Sequence, residues 1–550
     1  METATGKGRS RHRACAFVVL LFVVLLFAAP FHAHAAERLN VCTFSFNSPD
    51  EVAVFKARLP QSEFNVIDLS PPPLLEQSTP VASREPAAPL ERRPSAAWLP
   101  TLCRNDMRCD VLVISAEFAG RFFGTYGNSL SLQEMEEASC MRSCQGLFHS
   151  PREVFLLACN TLATKDPDRR TPEQYLNVLL EHGFDRAAAE RVVALRYGPL
   201  GPSFREALRR IFVGVPRVYG FDSIAPRAEY TARALNEYFD EKGDYRSYLE
   251  RAGRSTAANK ELLNAFRDTL LVQTSGIMPS EQATADRSQI CSLYNQKEST
   301  STGLRTVQRL MDRPDFLAFL PSIEVFMRRH AVERFTPAEL RLFDEIRGRK
   351  KARQEVLGLV RGLDVCALKM ELGSLAVHLQ WMDRKEFRAL AIEGTRKLLK
   401  EQVSTETVDI MCEISKHERL GDLFTSKDLS PQFFESAEGI RFVDCLAPVD
   451  RAVNARLVAA LDARNLSTRI WAAYVLSHRR DLSEDNLTRI ANHLDDPRAE
   501  VREQLRWLIY SQGARVSRRV REAIAARDPQ LAAALPPLPL PVGGAVRPKR

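Results

Sequence analysis

Short apolar runs that alternate with helix-like segments limit the fold of the first part of this chain more than any other feature. Because strands separated by helices favour parallel pairing, residues 36–230 are predicted to form an α/β domain, a mostly parallel sheet with flanking helices. The fourth run, Glu153–Ala158, is continuous and apolar, as expected of a strand covered on both faces. The runs are Leu39–Phe46, Phe64–Leu69, Asp110–Ser115, Glu153–Ala158 and Val213–Tyr219.

Helix starts in this part are marked by capping residues. Thr171-Pro172-Glu173-Gln174 is a capping box with proline at the first helical position, and it opens a helix that ends at Gly183. Further helices are expected to start at Asp185 and Ser203. Residues 70–100 interrupt the domain with eight prolines and little apolar periodicity. Such a stretch buries too little surface to offset its ordering entropy, so we interpret it as a flexible insertion.

The rest of the chain is helical in pattern. Residues 231–449 are predicted to be a helical region, either diverged repeats or a separate bundle. In residues 450–534 a segment of about 33 residues recurs, with Leu461-Asp462 and then Leu494-Asp495-Asp496-Pro497 ahead of apolar helical stripes. The second copy resembles HEAT-type helical repeats, which implies an extended surface for a protein partner. Residues 535–550, rich in proline and glycine with terminal basic residues, are predicted to be a disordered tail.

The N-terminus has the three parts of a secretory signal peptide, predicted over residues 1–35. Four basic residues precede an apolar run from Ala14 to Pro30, and Ala33-His34-Ala35 then matches a signal-peptidase site. The run is short for a bilayer span, so cleavage is favoured over an anchor, and no membrane span remains after it. Cleavage lowers the net charge from +8 to about +5, which does not indicate nucleic acid. The mature protein is therefore expected to be periplasmic or secreted.

Cys159 is the candidate nucleophile. It directly follows the strand Glu153–Ala158, and ligands of open parallel sheets lie at the carboxyl ends of strands. A nearby helix N-terminus would lower the pKa of such a thiol. The alternative is a buried structural thiol, because a free cysteine behaves as a small hydrophobe.

The sequence motifs around Cys159 resemble those of a known group of enzymes. A hydrophobic strand followed by Ala158-Cys159-Asn160-Thr161 resembles the nucleophile strand of caspase-like cysteine peptidases, the clan CD group that includes gingipains, separases and CHAT domains. In that group the preceding strand ends in a motif that carries the base histidine, and a hairpin with a Leu-Ser-Leu-x-Glu-like element follows. This chain has Val113–Phe118 and then Leu130-Ser131-Leu132-Gln133-Glu134. The resemblance covers about 190 residues, and Tyr219–Asp222 would border the same crevice.

The chain differs from that pattern at the position of the histidine that acts as the general base. Glu117 stands where the resemblance places the histidine, so Glu117 and Cys159 are the two candidate catalytic residues. A carboxylate would raise the pKa of the thiol, whereas a histidinium would lower it. Of the two histidines in the domain, His149 precedes the Cys159 strand and His182 closes the following helix. Both are expected to lie away from Cys159.

The other cysteines raise the question of a metal site. Cys103-x5-Cys109 and Cys140-x3-Cys144 fit zinc knuckles poorly, so disulfides are expected in an exported protein, within each pair or across the pairs. No metal and no cofactor is predicted.

Two functions remain open from the sequence. In one, the caspase-like domain has lost catalysis and acts, with the repeats, as a protein-binding or scaffolding module of the cell envelope. In the other, Cys159 is the nucleophile of a peptidase that acts on envelope or secreted proteins. The missing histidine favours the first.

Overall fold

The computed structural model describes eleven stretches of the chain. The predicted signal peptide, residues 71–97 of the proline-rich insertion and residues 537–550 of the predicted tail lie outside them. The described residues are 37–46, 49–70, 98–103, 107–124, 129–165, 170–281, 283–400, 403, 405–446, 450–479 and 481–536.

The described strands form two sheets. Six strands make the main sheet in the order β2-β1-β3-β7-β8-β9, in which the first five are parallel and β9 is antiparallel to β8. Three short strands, β4, β5 and β6, form a small antiparallel sheet between β3 and β7 in the chain. The strands are β1 (Leu39–Ser45), β2 (Phe64–Asp68), β3 (Val111–Ser115), β4 (Glu117–Phe118), β5 (Arg121–Phe123), β6 (Ser129–Ser131), β7 (Glu153–Leu157), β8 (Arg217–Phe221) and β9 (Leu271–Thr274).

The predicted α/β architecture with a mostly parallel sheet is confirmed, and four of the five predicted strands agree within about a residue at each end. The fifth begins four residues later than predicted, at Arg217. Pro216 has no amide hydrogen for a ladder, and Gly214 turns the chain with a positive φ of 72°. The polar edge strand β9 was not predicted. Because it pairs with β8, the segments that build the sheet extend beyond residue 230, to residue 274.

Helices cover both faces of the main sheet. Alternation along β3 sends Leu112 and Ile114 into one apolar core and Val111 and Val113 into the other. The first core is closed by α2–α7 and the second by α1 and α8–α10. These helices are α1 (Asp50–Arg58), α2 (Trp98–Leu102), α3 (Leu132–Cys140), α4 (Gln145–Phe148), α5 (Pro172–Glu181), α6 (Arg186–Tyr197), α7 (Phe204–Ile211), α8 (Ala228–Lys242), α9 (Tyr245–Ala252) and α10 (Lys260–Ala265).

The chain beyond β9 is helical in its described parts, as predicted. One continuous apolar core runs through it, from Ile290 to Leu535. Its helices are α11 (Ala283–Tyr294), α12 (Thr300–Met311), α13 (Leu320–Arg329), α14 (Pro337–Arg347), α15 (Lys350–Gly362), α16 (Cys366–His378), α17 (Arg384–Leu398), α18 (Thr405–Glu418), α19 (Ala437–Leu446), α20 (Arg451–Ala459), α21 (Leu466–Ser477), α22 (Glu484–Ala491), α23 (Ala499–Gln512), α24 (Arg518–Arg527) and α25 (Pro529–Ala534).

From α16 onward these helices form a two-layer stack. Helices α16, α18, α19, α21 and α23 contact one another in succession in one layer, and α20, α22 and α24 do so in the other. Polar contacts recur at one interval along the stack: Thr468 donates to the Glu435 carbonyl 33 residues away, and Gln512 donates to the Arg479 carbonyl at the same separation. The interval equals the repeat length read from the sequence, and the stack begins well before residue 450.

Ion pairs and a disulfide join the stack and its preceding helices to the α/β part. Arg121 of β5 pairs with Asp409 of α18 at 2.9 Å, and Asp409 also accepts from Arg441 of α19. Cys140 of α3 is bonded to Cys291 of α11. None of the helices in the described stretches is long and apolar enough to cross a bilayer.

Eight cysteines form four disulfides, Cys42–Cys109, Cys103–Cys144, Cys140–Cys291 and Cys412–Cys445. Disulfides were expected within or across the pairs Cys103/Cys109 and Cys140/Cys144, and Cys103–Cys144 confirms this for one bridge. Cys109 and Cys140 instead bond to cysteines outside those pairs. Cys159 and Cys366 are not part of these disulfides. Four disulfides are typical of a protein that works in an oxidising compartment outside the cytoplasm.

Candidate functional site

The two candidate catalytic residues lie at the same edge of the main sheet. In the parallel pairing of β3 with β7, Ser115 is opposite Leu157. Glu117 and Cys159 each follow two residues later, so both extend beyond the carboxyl ends of neighbouring strands. Glu117 then opens the small sheet by pairing with Phe123. Both residues therefore lie at the edge of the sheet where the crevice was predicted.

The loop after β8 is bonded to the loop after β7. The Asn160 amide donates to the Ser223 carbonyl at 2.6 Å, and the Leu162 amide donates to the Phe221 carbonyl at 2.9 Å. The two segments approach so closely at Gly220 that a Cβ there would lie 2.5 Å from Thr161 Oγ1. Glycine is therefore required at this position, and the segment predicted to border the crevice does lie beside the Cys159 loop.

The surroundings of Cys159 favour a neutral thiol. The Ala225 amide donates to its Sγ at 3.2 Å. Burial raises the pKa of the thiol to about 11; the Ala225 hydrogen bond opposes this rise, and the negative charge of Glu117 adds to it. Because the thiolate is the nucleophilic form, this environment disfavours nucleophilic attack by Cys159 at neutral pH.

A buried polar cluster that the sequence analysis did not identify lies beside Cys159. The Tyr175 hydroxyl donates to Asn160 Oδ1 and lies 3.1 Å from Ser223 Oγ. The Arg196 guanidinium is 4.6 Å from the ring centroid of Tyr175. Asn160 is fully buried, and its Nδ2 has no hydrogen-bond partner among the described residues. The capping box at Thr171 was the only available signal, since it places Tyr175 on the first turn of α5.

The backbone of Asn160 adopts a conformation that few residues tolerate. Its φ is +61°, in the left-handed region where asparagine is enriched and most other side chains are strained. This turn directs the chain from β7 toward the Ser223 carbonyl and leaves Cys159 at the strand end.

Carboxyl groups surround the outer side of the site. Glu117 has an exposed side chain, yet nearby protein raises its pKa, and the negative charge of Asp185 raises it further. Asp185 caps α6 by accepting from the Ala188 amide at 2.8 Å. Burial raises the pKa of Asp185 as well, and Glu438 of α19 contributes to that rise. The mouth of the site is therefore acidic, and one helix of the stack reaches it.

Neither histidine of the domain reaches Cys159. His149 lies ahead of the amino end of β7, where Arg287 Nη2 donates to its Nε2 at 3.1 Å. Burial and the positive charge of Arg287 lower the pKa of His149 to about 4. His182 ends α5 on the exposed side, about 15 Å along the helix from its start. In the described part of the chain no histidine hydrogen-bonds to Cys159.

The thiols considered for zinc are in disulfides. Among the described residues, no group of three or more His, Cys, Asp or Glu side chains is arranged to hold a metal ion. Comparison of the chain with models of known families, with curated proteins and with solved structures finds no match.

Proposed function

We propose that this chain is an exported cell-envelope protein, periplasmic or secreted, whose caspase-like α/β part has lost peptidase activity. In this proposal the protein acts as a binding or scaffolding module, and the HEAT-like helical stack provides the surface for a protein partner. The observation that carries the proposal is the half-buried thiol of Cys159. Its surroundings and Glu117 raise its pKa, and no histidine of the described residues hydrogen-bonds to it.

The order of elements supports the caspase-like resemblance. The strand that ends before Glu117 is followed by the small three-stranded antiparallel sheet, and the next strand of the main sheet ends before Cys159. The Leu-Ser-Leu-x-Glu element spans the end of β6 and the start of α3, where Ser131 and Glu134 form a capping box. These are the positions that the resemblance assigns to the same elements.

The electrostatics support the loss of catalysis. A cysteine peptidase needs a thiolate and a base within hydrogen-bond reach of it. Here burial and Glu117 both disfavour the thiolate. The hydrogen-bond donor nearest to the sulfur is the Ala225 amide, which stabilises the sulfur without accepting its proton.

The helical stack supports partner binding. Stacked helix pairs form an extended surface, and in this stack large aromatic side chains are exposed on α23. The stack also contacts the α/β part through the ion pair of Arg121 with Asp409.

Labelling with a thiol-reactive peptide electrophile tests the loss of catalysis. We expect the protein without residues 1–35 to show no labelling that depends on Cys159. The Cys159→Ala variant is the control, and Cys366→Ser removes the second cysteine that lies outside the disulfides. Rapid labelling that disappears in Cys159→Ala, or cleavage of an added peptide, would overturn the proposal.

The alternative is a Cys159-dependent peptidase for envelope or secreted proteins. The matched positions of Glu117 and Cys159 at the sheet edge favour it, since a base at residue 117 would lie beside the nucleophile. Glu117→His separates the two functions: peptidase activity gained only in this variant would support lost catalysis, with an intact scaffold that lacks its base. Activity of the unaltered chain would instead establish the alternative.

A further inference from the structure

One face of α23 carries an ordered stripe of exposed side chains. Trp507 and Tyr510 are 47% and 59% exposed, among the most exposed large hydrophobic side chains of the described chain. Glu500 and Glu503 lie on the same face toward the start of the helix, because the spacings of three, four and three residues follow the helical repeat. Neither carboxylate has an ion-pair partner among the described residues. We call these four residues the α23 stripe.

The aromatic end of the α23 stripe continues onto the neighbouring helix. The ring of His478 lies 6.4 Å from that of Trp507, and His478 also contacts Tyr474 of α21 at 4.7 Å between centroids. Exposed aromatic side chains in a connected group mark an interaction site rather than ordinary surface.

The described chain ends beside the aromatic end of the stripe. Leu535 is buried in the core of the stack, and Arg521 donates to the Pro536 carbonyl. Pro536 lies near Gly513, since a Cβ on that glycine would be 3.9 Å from the proline ring. Gly513 follows α23 and is three residues beyond Tyr510. Pro536 therefore lies about one helical turn beyond Tyr510 along α23.

The order of residue types in 537–550, prolines first and basic residues last, is complementary to the order of aromatic and acidic residues along the α23 stripe. This segment begins Pro-Leu-Pro-Leu-Pro-Val and, after two glycines, continues to Arg547, Lys549 and Arg550. From Pro536 back along α23, the stripe presents Tyr510 and Trp507 first and then Glu503 and Glu500. Proline-rich segments dock on exposed aromatic rings, and cations pair with carboxylates. Fourteen residues at about 3.1 Å each, the rise of a polyproline helix, are long enough to span α23, which is about 20 Å in length.

We propose that residues 537–550 dock on the α23 stripe of the same molecule, with the prolines on Tyr510 and Trp507 and the basic residues at Glu503 and Glu500. The segment then covers one end of the helical stack, and a partner with a proline-rich, basic segment would compete for that place. The docking stands whether or not Cys159 is catalytic.

Truncation after Pro536 tests the proposal. We expect acrylamide to quench Trp507 roughly two-fold more strongly in the truncated protein than in the full chain, with Trp507→Phe identifying the signal. A synthetic peptide of residues 537–550, added to the truncated protein, is expected to reverse the change. Replacing its prolines with alanine should weaken binding at least five-fold, and added salt should weaken it further.

Matched variants assign the contact. Trp507→Ala is expected to abolish peptide binding, whereas Tyr230→Ala, at an equally exposed aromatic residue of α8, leaves it unchanged. Glu500→Gln with Glu503→Gln should reduce both affinity and its salt dependence. Equal quenching in both chain lengths, or peptide binding that survives Trp507→Ala, would overturn the proposal. Quenching that depends on protein concentration would assign the segment to a second copy and overturn docking within one molecule.

Discussion

Glu117 and Cys159 occupy matched positions on adjacent parallel strands, each two residues past the paired residues Ser115 and Leu157. This arrangement places a carboxylate, rather than a base that could become a cation, beside the thiol. Since burial and the carboxylate act in the same direction, the thiol stays protonated. The same arrangement therefore disfavours the thiolate form that a cysteine nucleophile needs.

Glu117→Gln is expected to make Cys159 more reactive without making it fast. Removing the negative charge lowers the pKa of the thiol from about 11, while burial keeps it above the ordinary value. In a Cys366→Ser background, the rate of iodoacetamide modification at pH 8 should rise roughly two- to five-fold. Glu181→Gln, at an exposed carboxylate of α5, serves as the control. An unchanged rate across pH 7–10 would show that Glu117 does not act on the thiol.

Asn160→Ala is expected to destabilise the protein more than Asn160→Gly. Both variants lose the acceptor of the Tyr175 hydroxyl, but only glycine adopts a φ of +61° without strain. The difference in free energy of unfolding should be about 1 kcal/mol, measured by urea denaturation. Tyr175→Phe, which removes only the hydroxyl, provides the reference for the lost hydrogen bond. Equal stability of the alanine and glycine variants would contradict a left-handed turn at this position.

The sequence allowed the strands and their edge to be predicted but not the surroundings of the thiol. Continuous apolar strands such as β7 can be recognised alone, and parallel pairing then brings Glu117 and Cys159 to one edge. The Asn160 turn depends on a single positive φ, and Tyr175 and Ser223 approach it from other segments. Contacts such as Arg121 with Asp409 join residues 288 apart, which no local pattern encodes.

The polar edge strand and the disulfide partners escaped prediction for related reasons. Leu-Val-Gln-Thr of β9 is half-buried throughout and pairs on one side only, so it lacks the apolar signature of the other strands. Cysteine spacing does not determine pairing when the partner of Cys140 lies 151 residues away.

Glu153→Gln is expected to cost about 3–5 kcal/mol in free energy of unfolding, because it leaves the buried guanidinium of Arg217 without its counter-charge. Glu153 accepts from Arg217 Nε at 2.9 Å and from the Tyr245 hydroxyl at 2.7 Å. The double variant with Glu153→Leu and Arg217→Met removes both charges and should recover part of the loss. The rest remains because the hydroxyls of Tyr219, Tyr245 and Tyr248 lose their acceptor. Urea denaturation measures all three proteins. A double variant that is no more stable than Glu153→Gln would mean that the two groups do not act as a pair.

Glu324 is expected to make the protein less stable as the pH rises. It lies on α13 with Arg328 at 3.8 Å, and Glu371 of α16 and Glu413 of α18 act on it as further negative charges. Burial is the main cause that raises the pKa of Glu324 to about 7, and the two carboxylates add to it. The same carboxyl titrates near 4.5 when the chain is unfolded. Between these values the folded protein binds more protons than the unfolded chain.

Stability from this carboxyl is therefore largest at pH 4.5 and below, and is lost as the pH rises to about 7. Glu324→Gln cannot ionise, so its unfolding free energy should exceed that of the unaltered protein increasingly from pH 5 to pH 8. The gain relative to pH 5 should reach about 3 kcal/mol by pH 8, because the pKa of about 7 already includes the attraction to Arg328. Urea denaturation at four pH values measures it, with Glu355→Gln on the surface of α15 as control. If the unfolding free energies of Glu324→Gln and the unaltered protein instead change in parallel with pH, folding does not raise the pKa of Glu324. The expected divergence comes from the proton that Glu324 retains in the folded protein.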